Sequence, residues 1–214
     1  NGSSDLVLTD LDLSGPAGGV GVQLGTDSAE PTLNAGSNLR LERLTIDDRA
    51  TGVLSLGATN LTLNDLTVRR ATDKAVRLVD STRPLTMARL SLTDSAVGLE
   101  LDGLSGTTTT SFNIRGATGA VPNGAITSLA GNAVGLLLKR TSYLLVSDLT
   151  IDARTRGIDA DASTNNNSTF RDLDLSGPYA GTGLHLSGSG HSLLRVAANN
   201  RATGVYIEDA SSVS

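Results

Sequence analysis

The chain has 214 residues, a formal net charge of −5, 24 Gly, 5 Pro, no Cys and no Trp, with aromatic residues at only 2%. Absence of Cys excludes disulfides and thiolate metal sites, and the scarcity of aromatic side chains leaves Leu, Val, Ile and Ala to fill the interior. Two Lys and fifteen Arg are dispersed without a basic run, which argues against nucleic acid, and no apolar stretch approaches the roughly 20 residues of a membrane span.

In chain order, the opening NGSSDLVL carries no leader pattern, and a strand begins at Asp5–Leu8. An apolar-x-apolar anchor then recurs at Leu11-Asp-Leu13, Leu44-Thr-Ile46, Leu66-Thr-Val68, Leu90-Ser-Leu92, Phe112-Asn-Ile114, Leu149-Thr-Ile151, Leu173-Asp-Leu175 and Leu194-Arg-Val196. Five of the seven spacings lie between 21 and 24 residues; the other two, 33 and 37, fit one period plus a loop. After each anchor comes a small residue and another apolar-x-apolar step. The series starts at Gly21, Gly52, Ala75, Gly98, Gly135, Gly157, Gly183 and Gly204, and Ser55 breaks the second member.

Alternation with period 2 predicts short β-strands, and Gly, Asn, Asp or Ser punctuates their ends. No window carries a helical period. A repeat near 22 residues made of strands predicts a solenoid with one coil per repeat. Leucine-rich repeats share the period but need a fixed Asn or Cys and a helical segment; a propeller blade needs about 40 residues. A β-sandwich would not give columns this regular.

The motif NLTLNDLTV (60–68), followed by Gly, an aliphatic residue, any residue and Leu or Ile, resembles the parallel β-helix repeat of the right-handed, pectate-lyase-like superfamily over residues 5–210. The resemblance implies an all-β, right-handed, single-stranded parallel β-helix. Each turn would have three short strands, stacked into three parallel sheets. About eight rungs at 4.8 Å spacing make a rod of roughly 38 Å. The expected insertions lie near 25–37 and 115–133, where AITSLA (125–130) can form a short strand or a helical turn. In this geometry Leu44, Leu66, Leu90, Phe112, Leu149, Leu173 and Leu194 form one inward column. The residues before the anchors (Asp10, Arg43, Asp65, Arg89, Ser111, Asp148, Asp172) form an outward one of compensating charges.

The superfamily includes lyases, hydrolases, phage tailspikes and surface proteins, so its chemistry is tested residue by residue. Polysaccharide lyases of this fold need carboxylates for Ca²⁺ and an Arg or Lys base; hydrolases use an Asp cluster. The polygalacturonase pattern requires Asn-Thr-Asp, Asp-Asp, Gly-His-Gly and Arg-Ile-Lys. Here Asp47-Asp48 and Gly190-His191-Ser192 are present and the other two motifs are missing. His185, at an outward strand position, and His191, in a turn, read as surface residues. Asp148 over Asp172, with Asp152 and Asp174 on the same face, is the best Ca²⁺ candidate, since like carboxylates at strand spacing repel. The column Thr45, Thr67, Ser91, Asn113 and Thr150 reads as a β-surface hydroxyl ladder, since charges flank it and no flat ice-binding surface is formed.

No catalytic, cofactor-binding or metal-binding residue is assigned, and no cofactor is expected. Residues 1–214 read as one β-helix domain, a segment of a longer chain, because no cap closes either end. The first functional expectation is a non-catalytic structural or adhesive segment of an extracellular or cell-surface protein, able to form filaments. Its partners are other chains or domains at the uncapped ends, and polysaccharide. The alternative is a polysaccharide-active domain, lyase or glycoside hydrolase, using Arg115, Lys139, Arg140, Asp148 and Asp172 near the 115–133 loop.

Overall fold

In the computed structural model, which describes residues 3–25, 36–116, 126–160 and 165–214, the chain winds as a parallel β-solenoid of about seven turns, close to the eight rungs counted. Every strand pairing is parallel, and no described residue is helical. One typical turn runs through Gly36–Asp47, bent at Arg43, and then through Thr51–Leu56. The first two legs of each turn stack into a seven-stranded sheet in the N-terminal part and a four-stranded sheet in the C-terminal part. The third legs form one uninterrupted eight-stranded sheet: Val20–Leu24, Thr51–Leu56, Lys74–Val79, Val97–Asp102, Val134–Lys139, Arg156–Ala160, Thr182–Ser189 and Thr203–Ser211. This long sheet carries the site described below.

The small-residue series follows from crowding at the start of these third legs. A Cβ on Gly135 would stand 2.2 Å from Ile151 Cγ2 and 2.7 Å from the carbonyl oxygen of Gly157 in the next rung. The same carbonyl approach recurs from Gly98 to Gly135 and from Gly157 to Gly183. Inside, Val53, Val76, Leu99, Leu136, Ile158 and Leu184 lie over one another, all fully buried. At roughly 25 cal/mol per Å² of apolar surface, columns of this kind supply most of the drive to fold.

Bends between legs place non-glycine residues at positive φ. One corner column reads Asp10, Arg43, Asp65, Arg89, Asp148, Asp172, Arg195, with φ between 52° and 57°. Left-handed backbone suits Asp and is costly for Arg. Here each Arg reaches the carboxylate beside it: Arg43 Nε to Asp10 Oδ1 at 2.6 Å, Arg89 Nη2 to Asp65 Oδ2 at 2.6 Å, and Arg195 Nη2 to Asp172 Oδ2 at 2.8 Å.

The register corrects two anchors. Leu44 lies over Leu66 and Leu90 under Ile126, whereas Phe112 pairs with Leu144 on the neighbouring leg. Ile126–Ser128 is thus a strand of the anchor column, inside what the sequence presents as an insertion. Asn113 moves with Phe112, facing Leu145, and leaves the hydroxyl column. At the far end Leu173 lies over Val196, so Leu194 points outward and is 47% exposed. The remaining expected loop residues, 26–35 and 117–125, fall outside the described part of the chain.

Candidate functional site on the long sheet

Outward positions of a solenoid need only tolerate water, yet the long sheet buries charge there. Its outward column runs Gln23, Leu54, Arg77, Glu100, Leu137, Asp159, His185, Tyr206. Glu100 is completely buried. Arg77 Nε donates to its Oε1 at 3.0 Å, and the ammonium groups of Lys139 and Lys74 stand 3.6 Å from Oε1 and Oε2. Oε2 accepts no hydrogen bond from the protein. Lys74 also pairs with Asp73 at 2.6 Å. Three cations converge on one carboxylate, and Arg77 and Lys139 keep 35% and 44% of their side-chain surface in solvent. A buried charge survives only with such compensation.

Two rungs on from the Glu100 strand, a second group begins. Arg156 Nη1 donates to Asp159 Oδ2 at 2.6 Å, and His185 Nδ1 lies 2.9 Å from Asp159 Oδ1. The other ring nitrogen, Nε2, is 3.3 Å from Glu208 Oε2. Tyr206 packs over the imidazole with ring centroids 5.0 Å apart. Contrary to the surface role expected for it, His185 is buried, its side chain only 3% exposed. His191 is buried as well. It donates from Nε2 to the Ser187 carbonyl, packs on Phe170, and belongs to the interior polar set that closes the bends with Asn132 and Asn165.

The residues grouped from sequence near the 115–133 loop separate into two places. Asp148 and Asp172 lie on the corner column; Arg115, level with Ser147 one position before that column, pairs with Asp148 at 3.0 Å, and Arg195 pairs with Asp172. These arginines supply the neutralisation for which Ca²⁺ was considered. The Arg195 guanidinium holds the Asp172 carboxyl below the usual carboxylate range. Among the described residues no group of three or more His, Asp and Glu side chains could hold a metal ion. Lys139 stands on the long sheet, and Arg140 at its edge bonds Asp102 at 2.6 Å. A separate cleft of about 500 Å³ opens at the next bend, lined by Arg70, Thr72, Asp94, Ser95, Arg154 and Thr155. Its Arg70 is already paired with Asp48 and Asp47.

No family model and no curated protein matches the chain. Among solved structures it is similar to an alginate lyase from Paenibacillus sp. str. FPU-7, at 13% identity over 96% of this chain and 91% of that one, with a TM-score of 0.36. The neighbour is an alginate lyase where a non-catalytic structural or adhesive segment was expected, and that expectation is not carried forward. At this identity and score the likeness carries no argument; the fold stands on the chain's own strand pairing and the functional reading below on the residues of the long sheet.

Proposed function

We propose that the chain is polysaccharide-active and takes an acidic polysaccharide against the outer face of the long sheet. The observation that carries this reading is the buried Glu100 with Lys74, Arg77 and Lys139 gathered round it. Folding gives no reason to bury a carboxylate on an outward face, and an apolar residue of similar size there would be neutral or stabilising. With Lys74 shared between Asp73 and Glu100, Arg77 and Lys139 leave one positive charge in surplus and offer N–H donors to solvent. Charge-assisted bonds from guanidinium and ammonium groups are strong partners for a uronate carboxylate. Tyr206, 46% exposed at the far end of the same column, adds a ring face for a sugar.

Binding to a panel of acidic glycans (alginate, pectate) and neutral ones (dextran, cellulose oligomers), by calorimetry at two salt concentrations, tests the reading. Acidic glycans are expected to bind, with affinity falling as salt rises. Equal retention of neutral glycans, or no binding at all, removes it.

A further inference from the structure

The geometry points to Glu208 as a proton-transfer residue that touches the bound polysaccharide, with His185 and Asp159 as its positioning residues. This inference rests on the function proposed above and assigns its reacting group. The three residues form a line from the interior to solvent. Asp159 is fixed by Arg156, His185 is enclosed, and the Glu208 side chain is 47% exposed.

Hydrogen-bond inventory then places a proton between His185 and Glu208. A neutral imidazole has one N–H and one lone pair. If Nδ1 donates to Asp159, Nε2 can meet Glu208 only when one further proton sits between them, on the ring or on the carboxyl. The pair therefore holds one transferable proton. Only Glu208 can exchange a proton with a ligand, because His185 is enclosed.

Lys139 stands three rungs back along the sheet, on the order of 14 Å away, which leaves room for further acidic sugars along the rod. In an eliminative cleavage the shared proton rests on the His185 ring, and the Glu208 carboxylate takes the proton from the carbon next to the uronate carboxyl. That C–H electron pair becomes the new C=C bond, the glycosidic C–O bond breaks with its pair on oxygen, and Glu208 returns the proton to that oxygen. Nothing else is consumed.

The test measures binding and product formation separately on the intact chain with alginate and pectate. Positioned acid–base groups contribute roughly 10²–10⁴-fold to rate. Glu208→Gln is expected to lower kcat by about that factor, with KM and the melting temperature nearly unchanged, since the site is exposed and the change isosteric. His185→Gln is expected to lower kcat and to shift the pH–rate profile, which a purely structural role would leave in place. Wild-type turnover retained in Glu208→Gln overturns the assignment while the proposed function stands. Binding without any product from the wild type overturns the assignment too and leaves only the binding. No binding to either glycan overturns both.

Discussion

Two charged columns run along the outside of this solenoid, and they are built differently. At the corner column each Arg meets a carboxylate of the rung before it: Arg43 with Asp10, Arg89 with Asp65, Arg195 with Asp172. These groups are exposed or half-buried, and they occupy left-handed backbone that the bend requires. On the long sheet three cations face two carboxylates, Glu100 and the Asp73 that pairs with Lys74; Glu100 is buried, and the backbone is ordinary strand. The corner column is explained by its own fold. The sheet column is not, and surplus charge held in a fixed place without a structural need is where a ligand is to be sought.

Removing the surplus should produce the largest effect. Arg77→Ala with Lys139→Ala is expected to weaken acidic-glycan binding by about 10- to 100-fold, as loss of two charge-assisted contacts implies. Arg43→Ala with Arg89→Ala should leave binding as it was; equal losses in the two double variants would erase the distinction between the columns. Asp65→Ile tests the corner from the other side. A β-branched residue at φ 52° carries strain of about 1–3 kcal/mol, seen as a lower melting temperature with unchanged binding.

A smaller change in the opposite direction is expected inside the long sheet. Ser55 lies between Leu24 and Leu78, fully buried, with its hydroxyl unbonded. Ser55→Ala should raise stability by about 1 kcal/mol in a denaturant titration, the desolvation cost of an unmade hydrogen bond. A fall would mean that the hydroxyl has an unseen role.

The smallest effect is the acid response of the corner column. Hydrogen bonds from Arg43 and then Thr9 hold the Asp10 carboxyl down to about 2, and Asp48, Asp65 and Asp172 are lowered by Arg70, Arg89 and Arg195. Folded values below unfolded ones stabilise the chain above the unfolded value, near 3.8, and that contribution is lost as pH falls toward about 2. The melting temperature should therefore decline over this window, and less steeply in high salt.

Much of this was legible before folding. The glycine series fell into register because only a small residue fits against the next rung's carbonyl. The misplacement of Phe112 has a local reason. Each turn carries two apolar-x-apolar steps five residues apart, Leu61-Thr-Leu63 and Leu66-Thr-Val68, so one leg can be mistaken for the other. Leu194 is a different case: it follows Leu193, which lies over Phe170, and the left-handed Arg195 marks Val196 as the true anchor, as Asp172 marks Leu173. His185 was read as decoration because strand alternation gives direction only. Its burial follows from the Tyr206 ring and from the carboxylates of Asp159 and Glu208, contributed by rungs on either side.

The central claim is that ligand meets the long sheet and not the corner. Amide chemical-shift mapping during titration with a short oligouronate tests it most directly. Perturbations gathered at Arg77, Glu100, Lys139, His185 and Glu208, with Arg43, Asp65 and Arg89 silent, are the predicted result. Shifts confined to the corner column, or scattered evenly over both, would contradict it.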